Sequence, residues 1–104
     1  MQKIIEGKKY DTETATLIAT YEYSNQRDFN YCFEELFQTK KGVFFMYGEG
    51  GPLSKYAEEI GNNSVSGSCE MYLVSEEEAK EFAMANLDAE DFEEIFGEVE
   101  EGWF

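Results

Sequence analysis

The pattern of apolar and polar positions divides this chain into a strand-rich part and a helical C-terminal third. Residues 12–23 are rich in Thr, Ile and Tyr, and their side chains alternate with a period of two, which is typical of a strand. Short apolar runs at 3–6 and 69–74 predict two further strands. We expect residues 7–11 to form a turn-like connection. Within the run 12–23, a helix over residues 14–19 is the alternative to a strand.

The clearest local pattern is a hairpin near the centre of the chain. Two aromatic, β-prone runs, 31–38 and 43–47, flank the polar segment 39–42, which ends in Gly42. Gly42 can adopt the positive φ angle that a short hairpin loop needs. Because both faces of the second run are apolar, we place this run in the middle of a sheet.

After the hairpin the pattern changes from strand to turn and helix. The glycines of 48–51 end the strand, and Pro52 fits the first position of a helix that we expect to end near residue 60. The sequence Gly-Asn-Asn at 61–63 would stop this helix. Residues 62–68 are then predicted to form a flexible loop.

The C-terminal third predicts two helices. Ser75 and Glu78 have the spacing of a capping box, Asp88 can cap a second helix, and Gly97 would end it. Apolar residues recur along both helices at helical spacing: Ala79, Phe82, Ala83, Leu87, Phe92, Ile95 and Phe96. The predicted fold class is therefore α+β, a single domain over 1–104 in which a small antiparallel sheet with a central hairpin is covered by two C-terminal acidic helices.

The composition excludes several kinds of chemistry. The 104 residues carry a formal net charge of −15 and contain no His. Without His there can be no Ser-His-Asp or Cys-His nucleophile and no His-ligated metal site. We therefore expect a protein that is not an enzyme and that needs neither a metal nor a cofactor. Cys32 and Cys69 lie in apolar runs, which predicts two buried free thiols.

The hydropathy pattern also bears on the compartment. No apolar run approaches the roughly 20 residues that span a bilayer. Residues 1–6 become polar too soon for a signal peptide, so we expect a cytoplasmic protein. The strongly negative overall charge disfavours direct contact with nucleic acid or with an anionic membrane.

The negative charge is concentrated near the C-terminus. Residues 70–101 hold 13 acidic residues and a single basic one, Lys80. If helix ran unbroken over 76–94, its net charge of −8 would spread over about 28 Å. That is about one net charge per 3.5 Å, close to the spacing of about 3.4 Å between charges on one DNA strand. A bend near Asp88 would shorten this path.

Seven of these carboxylates are our candidates for contact with a basic partner. They are Glu76, Glu77, Glu81, Glu90, Asp91, Glu93 and Glu94. The alternative is that they only form the solvated outer faces of two amphipathic helices.

A second candidate site is the glycine-rich turn at 48–56. Such a turn can present backbone N–H groups to a small anion. Its candidate ligand residues are Gly48, Gly50, Gly51, Ser54 and Lys55. It has neither the third glycine of a dinucleotide fingerprint nor the Gly-Lys-Ser/Thr of a phosphate-binding loop. A purely structural turn is the alternative.

Taken together, four stretches give the chain a resemblance to known proteins. They are residues 10–15, the hairpin at 36–47, the glycine-rich turn at 48–56 and the segment 75–97. This set resembles a group of small acidic proteins encoded by phages and conjugative elements of Gram-positive bacteria. The resemblance implies a context rather than an activity, because some small acidic proteins of mobile elements inhibit host defence nucleases as anti-CRISPR or anti-restriction proteins, and some of those imitate DNA.

From the charge and this context we expect a protein that acts by binding another protein. The leading hypothesis is a DNA-mimic inhibitor that occupies the basic nucleic-acid channel of its partner. The alternative is a small-ligand or regulatory binding module built on the turn at 48–56. The sequence leaves the partner's identity and the oligomeric state open.

Overall fold

The computed structural model describes residues 1–25, 27–61 and 64–99 of the chain. These residues contain the following elements in chain order: β1 (Gln2–Ile5), β2 (Lys8–Asp11), β3 (Thr16–Tyr23), β4 (Cys32–Gln38), β5 (Phe44–Gly50), β6 (Glu58–Gly61), β7 (Ser64–Ser66), β8 (Ser68–Val74), α1 (Glu76–Asn86) and α2 (Ala89–Phe96). The architecture is the predicted α+β class, a small antiparallel sheet followed by two helices.

The centre of the fold is a four-stranded sheet in the order β3-β4-β5-β8, in which every neighbouring pair is antiparallel. Two small hairpins, β1-β2 and β6-β7, form separate two-stranded sheets. The predicted central hairpin is confirmed as β4 and β5, and the second arm has a strand on each side, as expected. Gly42 adopts a φ of 90° in the turn, where the Thr39 N–H donates to the Val43 carbonyl at 2.9 Å.

Each face of the sheet has its own core. On one face Leu36 and Met46 pack with Ile18 and with Ala79 of α1, so this face lies beneath the helices. On the opposite face Phe37 and Phe45 stack with their ring centroids 5.2 Å apart. Tyr10 of β2 covers these rings, with its centroid 5.5 Å from that of Phe45.

Both helices begin, and the second one ends, as the sequence predicts. The Ser75 side chain accepts from the Glu78 N–H, and the Glu78 side chain accepts from the Ser75 N–H, both at 3.1 Å. Asp88 caps α2 by accepting from the Asp91 N–H at 2.9 Å. Gly97 follows the last turn with a φ of 99°.

Two predictions for the N-terminal part were wrong. Residues 7–11 are mostly strand β2, because the chain reverses earlier, at Glu6 and Gly7, which both have positive φ. This two-residue turn lets Lys8 pair with Ile5. The next strand starts at Thr16 rather than 12, and residues 16–19 are extended, which excludes the alternative helix there.

The helix predicted after Pro52 is also absent. Residues 52–56 form successive turns, and β6 follows at Glu58. The physical reason is local competition, because the Ser54 hydroxyl donates to the Gly51 carbonyl and accepts from the Tyr56 N–H, which stabilises a turn instead of a helix. The loop predicted for 62–68 instead contains β7 and the start of β8, with residues 62 and 63 outside the described part.

The prediction of two buried thiols is correct for one cysteine only. Both cysteines are free, but Cys32 is buried and Cys69 is exposed. Cys69 shares a face of β8 with Met71, yet only Met71 lies in the core cluster under the β1-β2 hairpin. The apolar pattern of this strand therefore predicted more burial at its first residues than the structure shows.

The two thiols should differ strongly in reactivity under native conditions. Burial, and next to it the charge of Glu34, raise the pKa of the Cys32 thiol, so little thiolate is present there. With a chromogenic disulfide reagent, one thiol per chain should react rapidly and the second only in denaturant. Cys69→Ser should remove the rapid phase and Cys32→Ser should keep it. A rapid phase that survives in Cys69→Ser would contradict the structure.

The packing at Gly48 gives a prediction for stability. A Cβ atom at this position would lie 2.0 Å from the Tyr56 ring. Gly48→Ala should therefore lower the free energy of unfolding by about 1 to 3 kcal/mol through overpacking. In a Tyr56→Ala background the same substitution should cost much less, which chemical denaturation of the four variants in a double-mutant cycle can measure. Equal costs in both backgrounds would show that the ring contact is not the cause.

Candidate functional site

The orientation of α1 is set by its two alanines. Ala79 and Ala83 are fully buried against the sheet. With 3.6 residues per turn, Glu77 and Glu81 then lie on the opposite side of the helix, and both are exposed. Glu76 is exposed as well and lies in the first turn, where the helix dipole favours a negative charge.

The shorter helix α2 repeats this arrangement with aromatic residues. The Phe92 and Phe96 rings are tilted against each other with centroids 4.9 Å apart, and Phe96 stacks on Phe44 of the sheet at 5.8 Å. Since these rings face the core, Glu90 and Glu94 project away from it and are exposed.

The outer surfaces of α1 and α2 together form what we call the acidic face. It comprises all seven sequence-predicted carboxylates: Glu76, Glu77, Glu81, Glu90, Asp91, Glu93 and Glu94. Six of them are exposed, and Glu93 is half-buried because its carboxylate accepts from the Val99 N–H at 2.8 Å. The structure therefore brings the whole predicted set onto two helices that pack against each other, with Glu93 partly engaged in the fold.

The charge of the acidic face is almost uncompensated. The ion pair between Lys80 and Glu76, at 3.4 Å, is the one salt bridge within the described part of either helix. Neither helix carries a basic residue in its last turn. The chain leaves the helical conformation at Leu87, so the charges lie on helices of about 16 and 12 Å rather than on one path of about 28 Å. The spacing calculated for an unbroken helix therefore does not apply.

The second predicted site, the glycine-rich turn at 48–56, is filled by the chain itself. Gly48 and Gly50 belong to β5 and are close to Tyr56 and Ser54, which fold back over this strand. A Cβ atom at Gly51 would lie 2.6 Å from the Phe29 carbonyl oxygen. The glycines thus allow the segment after β5 to lie flat on the sheet, and the strand-to-helix turn that would present N–H groups to an anion does not form.

Beneath this segment lies a buried carboxylate that sequence analysis did not single out. Glu34 of β4 is 5% exposed. It pairs with the Lys55 ammonium at 2.7 Å and accepts a hydrogen bond from the Tyr56 hydroxyl. The Tyr72 hydroxyl is 2.9 Å from that of Tyr56 and extends the network. The sequence signal was a pair of acids, Glu34 and Glu35, within an aromatic strand, because one of two adjacent strand residues must point to the buried face and then needs a partner.

The network changes the proton affinities of its members in a consistent direction. Burial, the hydrogen bond to Glu34 and the neighbouring Tyr72 raise the pKa of Tyr56 well above its ordinary value of 10.0. Burial alone would lower the pKa of Lys55, but the hydrogen bond and charge of Glu34 outweigh it and raise that pKa. Across the sheet, burial and then the carboxylate of Glu49 raise the pKa of Tyr47. These groups therefore hold their protons at neutral pH and act as donors within the fold.

Three further observations concern metal binding, membrane crossing and cavities in the described part of the chain. Within the described residues, no group of three or more Cys, Asp or Glu side chains could hold a metal ion. Neither α1 nor α2 is long and apolar enough to cross a membrane. A cavity of about 520 Å³ adjoins the turn, and Ser54, Lys55, Glu34 and Cys32 are among its lining residues.

No protein-family model, curated protein or solved structure matches this chain. The functional interpretation therefore depends on the geometry of the chain itself.

The raised pKa values predict a loss of stability at alkaline pH. Below pH 10 both the folded and the unfolded chain hold the Tyr56 proton, so this group adds no pH dependence. Above it the unfolded chain loses the proton while the folded chain retains it. The free energy of unfolding should then fall by up to about 1.4 kcal/mol per pH unit from this one residue.

Chemical denaturation between pH 8 and 11.5 should reveal this slope, and Tyr56→Phe should reduce it. Tyr47→Phe should reduce it further in the same direction, because its pKa is raised as well. An alkaline slope that is identical in the parent and in the Tyr56→Phe variant would refute the role given to this hydroxyl.

Proposed function

We propose that this chain is a non-enzymatic, acidic protein-binding protein of a mobile element that acts in the cytoplasm of a bacterial host. Its acidic face occupies the basic nucleic-acid channel of a partner, which makes it a candidate DNA mimic and inhibitor of a host defence nuclease of the CRISPR or restriction type. The context comes from the resemblance of residues 10–15, 36–47, 48–56 and 75–97 to acidic proteins of phages and conjugative elements. The proposed mechanism is based on the acidic face of α1 and α2.

The observation that carries this proposal is the exposure of the acidic face with almost no compensating cation. Nine carboxylates and one ammonium lie between Glu76 and Glu94. In α1 and α2 the apolar positions are used to cover the sheet, so the exposed carboxylates of this surface, unlike the half-buried Glu93, lie outside the core. Like charges at i,i+4, such as Glu77 with Glu81 and Glu90 with Glu94, cost a few tenths of a kcal/mol each. A basic partner would remove that repulsion.

The partner's chemistry follows from the same charges. A channel that normally binds phosphates presents Lys and Arg side chains, and carboxylates can take the place of the phosphate oxygens. At physiological ionic strength exposed charges more than about 8 Å apart are largely screened. The carboxylates must therefore reach the cations directly, which their position on the outer side of two helices allows.

The alternative function, a ligand or regulatory module at 48–56, has one observation in its favour. This is the cavity next to Ser54 and Lys55. Against it, the Lys55 ammonium is already paired with Glu34, and Gly48, Gly50 and Gly51 accommodate the chain's own atoms. The module hypothesis would need the Lys55–Glu34 pair to open for a ligand, whereas the acidic face is accessible as it is.

A charge-reversal experiment tests the proposal. Glu81→Lys, Glu90→Lys and Glu94→Lys together should abolish capture of a nucleic-acid-binding partner from a host lysate, and duplex DNA should displace the parent protein from that partner. Glu93 is kept because its carboxylate holds the Val99 N–H. Capture by the parent should weaken steeply with added salt.

The matched control reverses three exposed acids elsewhere on the chain, Glu13, Glu58 and Glu59. It has the same net charge as the test variant, and it should still capture the partner and be displaced by DNA. Both variants should unfold at parent-like denaturant concentrations. If the two lose binding equally, only the net charge matters, and if neither does, the acidic face is merely a solvated surface.

A further inference from the structure

The cations of this chain are also unevenly placed. Four of its eight basic residues line one cavity of about 500 Å³ on the side of the sheet away from the helices. Lys8 and Lys9 come from β2, and Lys40 and Lys41 from the turn between β4 and β5. In a chain with a net charge of −15, this is a local concentration of positive charge, which we call the lysine cavity.

These four ammonium groups have no salt bridge in the described part of the chain. The ion pairs found there involve Lys55 and Lys80, which lie elsewhere. The one acid on the cavity wall is Asp11, whose carboxylate accepts from the Glu13 N–H at 2.9 Å and from the Gln2 amide at 3.0 Å. The Glu13 N–H lowers the pKa of Asp11, and Lys9 contributes in the same direction. The lining of the cavity therefore contains one carboxylate and four cations.

The rest of the lining is apolar or able to donate hydrogen bonds. Ala15, Val43 and the buried Tyr10 supply the apolar part. The Thr39 hydroxyl accepts from the Val43 N–H at 3.1 Å, which leaves its own proton available to an anion. The combination of exposed cationic residues with apolar residues in one lining matches a ligand with a charged end and an apolar or aromatic body.

We propose that the lysine cavity binds a small organic phosphate of nucleotide size. Its volume lies within the range of about 300 to 1,000 Å³ that is usual for small-molecule sites. Lys is a compact point charge that suits clustered phosphate oxygens, and several phosphates are needed to balance four cations. A long nucleic acid is disfavoured because it would also have to pass the repulsive field of the acidic face.

Titration of the ¹⁵N-labelled protein with ATP in magnesium-free buffer tests this site. Saturable amide shifts should appear at residues 8–15 and 39–43. Lys8→Gln and Lys40→Gln should each weaken binding about threefold to tenfold, as expected for a lost charge-assisted hydrogen bond. Lys80→Gln, a neutralisation outside the cavity, should leave the affinity unchanged. Tripolyphosphate and adenosine, tested alone, should each bind more weakly than ATP, because each supplies only one half of the match.

The proposal fails if ATP gives no saturable shifts up to millimolar concentration, or if the shifts map to other residues. It also fails if Lys80→Gln weakens binding as much as Lys8→Gln does, because the attraction is then not specific to the cavity. None of these outcomes bears on the acidic face, whose variants leave all four lysines in place. Conversely, an acidic-face variant that no longer captures the partner should still bind ATP as the parent protein does.

Discussion

The rest of this structure depends on the need to cover both faces of the central strands β4 and β5. Leu36 and Phe37 are neighbours in β4 and point to opposite sides, and both are almost completely buried. A four-stranded sheet cannot bury either face by itself. The chain therefore supplies two covers, the helices on one face and the β1-β2 hairpin on the other. Each cover takes its inward residues from the apolar pattern, and its outward residues become free for other roles.

The two covers carry opposite charge as a consequence of this division. The helical cover turns carboxylates outward, and the hairpin cover, together with the β4-β5 turn, contributes Lys8, Lys9, Lys40 and Lys41. If the two groups lay side by side, they would pair and neutralise each other. Their placement on different covers leaves an acidic surface and a basic cavity on one small domain.

A third segment closes the half of the helical face that α1 and α2 do not reach. Residues 51–57 lie over Gly48 and Gly50, and Tyr56 and Lys55 complete the surroundings of Glu34. A buried carboxylate without partners costs several kcal/mol, so the position of this segment and the acid beneath it determine each other. Among the described residues, no buried side-chain nitrogen or oxygen is left without a hydrogen bond.

The sequence was informative wherever a local rule decides the structure. The capping box at Ser75, the cap at Asp88 and the hairpin loop ending in Gly42 each involve residues close in sequence, and all three were predicted correctly. The acidic face could be located for the same reason, since helical periodicity alone determines which carboxylates point outward.

Prediction failed where distant residues decide the structure. Pro52 after glycines has the pattern of a helix start, but the hydrogen bonds of the Ser54 hydroxyl favour successive turns, and the bond from the Tyr56 hydroxyl to Glu34, 22 residues earlier in the chain, holds these turns against the sheet. The lysine cavity was missed for a related reason, because its two lysine pairs are separated by some 30 residues. Their meeting depends on β2 crossing the sheet next to the β4-β5 turn, a tertiary arrangement that neither pair encodes by itself.

The separation of charge also constrains how any function of this domain can be regulated. The acidic face and the lysine cavity lie on different covers of one sheet, and both covers rest on the same strands through Leu36 and Phe37. Ligands bound at the two places would interact mainly through space, and that interaction is weak beyond the Debye length. Packed cores do not deform continuously, so coupling through the sheet would need a second stable arrangement of β4 and β5. Their continuous register over seven paired positions, with apolar contacts on both faces, favours a single rigid arrangement. The domain is therefore best understood as two independent surfaces on one rigid sheet.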